Sequence, residues 1–150
     1  MKCVLQRVSR ASVTIDGEKI SEIGHGLLIL VCIAEGDTRA DIERMAGKCS
    51  RLRIFDDDCG VMNRSVSDVG GEVLAVSQFT LAANVRKGNR PSYIAAAGHD
   101  TAIPGYEEFC RLMQEAIGKP VKRGRFGADM QVELVNDGPV TIIIDTKDLA

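Results

Sequence analysis

A chain of 150 residues with 45% hydrophobic and 27% charged residues can bury a core, and lies far from the low-hydrophobicity, high-charge balance of disordered chains. Its formal net charge of −2 and pI near 5.7 argue against broad coating of a nucleic-acid backbone, which needs many Lys and Arg contacts. The scattered cysteines Cys3, Cys32, Cys49, Cys59 and Cys110 form no C-x-x-C pair, so neither a disulfide framework nor a zinc site is suggested and a reducing, cytoplasmic setting is expected.

The N-terminus turns polar too soon for a secretory signal. From Val4 to Ile15 the residues alternate with a period of two, as one or two strands would. Asp16-Gly17 is a hairpin signal, with Glu18 to Ile23 as the return strand. The run Leu27 to Ile33 is apolar at every position, which predicts a central strand covered on both faces; with Ala34 it is the longest apolar stretch, and too short to span a membrane. Ile42, Met45, Ala46, Cys49 and Leu52 then fall on one face of a helix opened by Thr38 and Asp41. Asp56-Asp57-Asp58 lies in a turn without the ligand spacing of a calcium loop.

Glu72 to Phe79 reads as a buried strand ending in polar residues, a common place for chemistry on an α/β sheet. The long polar loop from Ala82 to Thr101 suggests binding. Pro104 suits the first turn of a helix whose core stripe is Phe109, Leu112, Met113, Ala116 and Ile117. Two strands, Met130 to Val135 and Val140 to Ile144, close the chain. No linker or repeat divides it, so residues 1–150 form one domain of α/β class.

The chain has no G-x-S-x-G elbow, no phosphate-binding glycine loop and no H-E-x-x-H, and its two histidines, His25 and His99, give little support to histidine chemistry. Two polar segments at strand ends stand out: Ser77-Gln78-Phe79-Thr80 and Asn136-Asp137-Gly138-Pro139-Val140-Thr141. Taken by themselves, the first reads as backbone capping where a strand turns, the second as a hairpin turn. Two basic clusters, Arg86, Lys87 and Arg90, and Lys119, Lys122, Arg123 and Arg125, read either as solvated surface or as phosphate contacts.

Taken together, S-Q-F-T-L at Ser77 to Leu81 and N-x-G-P-V-T at Asn136 to Thr141 resemble the two signature motifs of the D-aminoacyl-tRNA deacylases. The resemblance continues through Gln6-Arg7-Val8, Arg10 to Val13, Gly24 to Leu28, Met62-Asn63, Gly88, Arg90-Pro91-Ser92, Gly124 to Phe126 and Ala128 to Gln131. It implies mixed, largely antiparallel sheets packed with two main helices, and hydrolysis of the ester between a D-amino acid, or glycine, and the 3′ end of tRNA, without a cofactor. It further implies a homodimer that acts on neither membrane nor DNA, in which the two motifs meet across the interface. By the same resemblance Ser77, Gln78, Phe79 and Thr80 are catalytic. Gly138 and Pro139, joined by a cis bond, exclude an L side chain with Asn136, and Arg7 braces them; Phe126 and Met130 hold the terminal adenine. Cleavage runs either through Thr80 as nucleophile or, as favoured here, through the substrate's own 2′-hydroxyl with N–H groups around Gln78 and Phe79 as oxyanion donors. The alternative is a non-catalytic tRNA-binding module.

Overall fold

In the computed structural model, which describes residues 1–150, the N-terminal alternation is one long strand, β1 (Lys2–Ile15). Its two halves have different partners: Lys2 to Val8 pairs antiparallel with β3 (Gly26–Cys32), and Ala11 to Ile15 with β2 (Glu18–Ile23). Asp16 and Gly17 take positive φ values of 50° and 78°, the pair that a tight two-residue turn matching strand twist requires. A bulge between Val8 and Arg10 shifts the phase of β1. Cys3 and Leu5 therefore enter the larger core, while Val8, Ala11 and Val13 enter a second, smaller one.

Strand β3 is buried on both faces, as its unbroken apolar run predicts. Leu27, Ile29 and Val31 face the larger core; Leu28 faces the smaller. Helix α1 (Arg39–Arg51) buries Ile42, Met45, Ala46 and Cys49, and its first turn is closed by Asp41, whose carboxylate accepts from Thr38 N at 2.9 Å. A short hairpin, β4 (Phe55–Asp56) and β5 (Met62–Arg64), leads to β6 (Glu72–Ser77), which runs parallel to β3. Contact at the start of that pair is close: a Cβ on Gly26 would lie 1.9 Å from Glu72 O.

Helix α2 (His99–Ile117) crosses over to β7 (Lys122–Arg123), which is parallel to β6, and packs against α1 in the larger core. It starts five residues before Pro104, capped by Gly98 rather than opened by proline. Pro104 deprives only the Asp100 carbonyl of a helical donor, and that residue is exposed. The buried stripe is accordingly Ala102, Tyr106, Phe109, Cys110 and Met113; Ala116 faces solvent.

The two closing strands expected from the sequence are one, β8 (Gln131–Asp145), paired antiparallel along almost all of β1. Val8 pairs with Asn136 and Gln6 with Thr141, so Arg7 alone faces the four residues 137–140. The Asn-Asp-Gly-Pro segment is therefore an outward bulge, not a hairpin turn. Because β1 continues opposite both flanks, the turn-forming residues loop the chain out and return it to the same ladder. Sheet order is β2-β1-β3-β6-β7, with β8 on the other side of β1.

Candidate active site

Two places in the fold gather the polar motif residues. The first is the C-terminal end of β6, where Ser77 pairs with Val31 and the chain enters a single helical turn, Phe79–Ala82. Gln78 N donates to Val31 O at 2.8 Å, so this N–H, read from the sequence as one of two oxyanion donors, is already engaged. The Phe79 N–H opens the turn, where the first donors have no acceptor within the helix. Thr80 Oγ1 accepts from Gln78 Nε2, and neither a histidine nor a carboxylate hydrogen-bonds to it. Nothing in this arrangement withdraws the hydroxyl proton.

Beside this strand end lies a mostly apolar cavity of about 620 Å³. Ser77, Gln78 and Phe79 line one side, and Phe126 and Met130 line another, but Thr80 does not reach it. Met130 Sδ takes the Arg125 N–H at 3.4 Å, and a Cβ on Gly124 would lie 2.5 Å from the same sulfur, so the glycine admits the thioether. Phe126 stands edge-on to His99, with ring centroids 5.6 Å apart, and tilted against Tyr106.

Tyr93, His99, Tyr106 and Cys32 also line the cavity, and none was singled out by motif. Tyr106 was legible in principle, since it falls on the α2 stripe once the helix is started at Gly98. Its hydroxyl donates to Ala75 O at 2.8 Å, and burial raises its pKa above the ordinary phenol value. Burial likewise raises the Cys32 thiol, whose Sγ lies 3.6 Å from Phe79 O. Both groups stay protonated at neutral pH and act as walls, not as nucleophiles.

The second place is the bulge on β8. The Gly138–Pro139 bond is cis and both residues are exposed. Asn136 and Thr141 close its neck: Asn136 Oδ1 accepts from Val140 N at 2.9 Å, and Asn136 Nδ2 donates to Thr141 Oγ1 at 3.1 Å. Asn136 is thus a staple whose amide is turned inward. Arg7, only 8% exposed, donates from Nε to Asp137 O at 2.9 Å and from Nη1 to Ile54 O at 2.8 Å. Asp137 also faces His25, which stands edge-on to Phe55. The three neighbouring aspartates diverge to separate partners: Asp56 to Arg7, Asp57 to the N–H groups of Cys59 and Val61, Asp58 to Arg64.

Replacing Arg7 by methionine keeps an unbranched apolar stem but removes the guanidinium, leaving two carbonyls without a donor. The expected result is a loss of about 2 to 4 kcal/mol in stability, read as a lower urea midpoint at unchanged m. An unchanged midpoint would mean that water serves those carbonyls equally well.

Within one chain the two places do not share a cavity. Arg7 pairs with Leu27 and Ser77 with Val31, four residues further along β3, or roughly 13 Å.

The sequence matches the family model described as D-Tyr-tRNA(Tyr) deacylase over residues 4–145. It is 60% identical over 147 residues to a D-aminoacyl-tRNA deacylase of Parabacteroides distasonis, and 57% identical over 147 residues to one of Bacteroides thetaiotaomicron, in each case covering 98% of both chains. Among solved structures it resembles one titled "c-Myc DNA Unwinding Element Binding Protein", with TM-score 0.91 and 44% identity over 97% of this chain and 98% of that one. A second, titled "Structural Analysis of a probable eukaryotic D-amino acid tRNA deacylase", gives TM-score 0.81 at 17% identity over 95% and 97% of the two chains, a likeness of fold alone.

Proposed function

The chain belongs to the D-Tyr-tRNA(Tyr) deacylase family and is a hydrolase of the D-aminoacyl-tRNA ester, and within that activity we propose how its two motif sites divide the work. The cavity beside β6 takes the 3′-terminal adenosine, with Phe126 and Met130 against the base. Its shape carries the reading: an apolar recess of about 620 Å³ with a polar strand end along one side matches a ligand that has a flat base and a reactive ester.

A water molecule, activated by the substrate's 2′-hydroxyl, attacks the ester carbonyl, and its proton passes to the departing 3′-oxygen so that free amino acid and tRNA leave. The Phe79 N–H stabilises the developing oxyanion, and the bond to the ribose 3′-oxygen breaks. The environment of Thr80 supports this reading, since its hydroxyl has only an amide partner and lies outside the cavity.

The bulge sorts mirror images. Discrimination of at least about a thousandfold, roughly 4 kcal/mol, exceeds the 1 to 3 kcal/mol of one misfitting methylene in a soft pocket. Backbone pinned by Asn136, Thr141 and Arg7 offers a firmer wall, against which an L side chain collides and the substrate ammonium bonds to carbonyl oxygens. Glycine, having no side chain, passes it, so glycyl-tRNA is a further substrate.

The wall belongs to a second copy of the chain. Gly138, Pro139 and Phe79 are exposed in one protomer, as are Val135 and Ile143 on β8, and a two-fold axis pairing these surfaces forms two equal sites. Five free thiols suit a reducing, cytoplasmic location.

The test is release of amino acid from the D- and L-forms of one aminoacyl-tRNA, side by side. The D-ester is expected to be hydrolysed at least about a thousandfold faster. Thr80→Ala should keep most turnover, whereas a 2′-deoxy terminal adenosine should lose it. Equal rates on the two enantiomers, or a dead Thr80→Ala, would overturn the corresponding half of the mechanism.

A further inference from the structure

The two basic clusters of the sequence have different fates in the fold. Arg123 pairs with Glu107, and Lys119 donates to Gly70 O, so the second cluster is partly spent on internal bonds. In the first, Arg86, Lys87 and Arg90 are exposed and none has a carboxylate within 4.0 Å. Arg7, Arg10, Arg39, Arg64 and Arg111 all have such partners.

The segment carrying these cations is held in place. Asn84 and Ser92 form a two-bond antiparallel bridge, with Asn84 N to Ser92 O at 2.8 Å and Ser92 N to Asn84 O at 2.9 Å. Asn84 Oδ1 also accepts from Arg86 N at 2.9 Å, and Gly88 turns the tip at φ 68°. The residue that leaves the bridge, Tyr93, lines the cavity and packs edge-on against Phe79, with ring centroids 5.2 Å apart. A clamped loop with three uncompensated positive charges therefore rises from the rim of the cavity, in a chain whose net charge is −2.

We infer that the 84–92 loop is a phosphate rail that receives the single-stranded RNA immediately 5′ to the nucleoside in the cavity. The inference rests on the deacylase reading, because it needs a polynucleotide whose last residue enters beside Phe79. The three charges of the loop lie together at one rim, so the contacts are few and placed, consistent with an acidic protein that does not coat nucleic acid. Phosphate contacts of this kind fix register without reading sequence. The loop therefore sets how tightly the substrate is held, not which tRNA is chosen.

The test compares two substrates: full-length D-aminoacyl-tRNA, and D-aminoacyl-adenosine, which has no phosphate. Arg86→Gln/Lys87→Gln/Arg90→Gln is set beside Lys48→Gln/Arg51→Gln/Lys147→Gln, which removes the same charge from exposed positions that do not line the cavity. Three single-strand contacts give a log–log salt slope of roughly −2, so raising salt from about 50 to about 200 mM should raise the wild-type KM for tRNA on the order of 15-fold.

The loop variant should lose most of that dependence. Its KM for tRNA should rise by about ten- to a hundredfold at low salt with little change in kcat, and D-aminoacyl-adenosine should be cleaved as by wild type. The control variant should behave as wild type on both. An unchanged KM for tRNA in the loop variant, an equal rise in the control, or an equal loss on D-aminoacyl-adenosine would each overturn the rail. Failure of the wild-type protein to cleave either substrate would instead overturn the deacylase reading beneath it.

Discussion

Gly138→Ala is expected to reduce D-aminoacyl-tRNA hydrolysis by about a hundredfold or more while the protein stays folded, with a lower D-to-L ratio in the turnover that remains. Gly138 has φ 149°, and a Cβ built there would lie 2.6 Å from Val140 N and 2.8 Å from Val140 Cγ2. Val140 N is the donor that Asn136 holds, so the added methyl presses on the staple that closes the bulge. The backbone must move, and a displacement near 1 Å at a substrate-positioning group is enough for a loss on the order of a hundredfold. Because Gly138 and Pro139 are exposed and Val140 packs only at the margin of the larger core, far-ultraviolet circular dichroism should not change. Wild-type rates and selectivity in this variant would show that the bulge plays no part in recognition.

The second large effect is expected at Phe79→Pro, which removes the backbone N–H together with the phenyl ring that packs on Tyr93. Proline is accepted at the first position of a helical turn, where the N–H has no partner inside the helix, so Phe79–Ala82 should persist. Losing one oxyanion donor typically costs a factor of about 10²–10³ in kcat. Phe79→Ala separates the N–H from the ring: it should retain kcat much better, with any loss confined mainly to KM. If the proline variant turned over at the wild-type rate, the donor would have to be sought elsewhere.

The two variants together test how the sites are shared. If residue 138 of one copy serves the 77–80 segment of the other, co-refolding Gly138→Ala with Phe79→Pro makes half of the molecules hybrids, each with one site carrying both lesions and one carrying none. About a quarter of all sites are then intact. If the two segments of a single chain worked together, every site would keep a lesion and mixing would restore nothing.

Much of the fold was legible because local signals agreed with tertiary demands. The Asp16-Gly17 turn, the doubly buried β3 and the Thr38–Asp41 cap each follow from a few residues. Helix α2 was misjudged at its start because proline there is tolerated, not required; the true cap, Gly98, has no side chain to announce it. At residues 136–141 the turn chemistry was read correctly and its consequence was not. Whether Asn-Asp-Gly-Pro reverses a chain or bows it outward depends on whether the neighbouring strand ends, and β1 does not end there. Motif resemblance singled out Ser77 to Phe79, Phe126 and Met130, which the fold brings to one recess. It missed Tyr93, His99 and Tyr106, which complete that recess through loop and helix packing that no short motif encodes.

The outward bow of β8 also has a bearing on solubility. A 15-residue strand at the margin of a sheet offers a long row of free amides and carbonyls, the kind of template on which further chains can stack into fibrils. Four residues pushed out of line split that row into two short stretches, so no added strand can pair along the whole edge. Trimming the bulge to make the ladder regular would therefore remove a guard against aggregation along with the proposed selectivity wall.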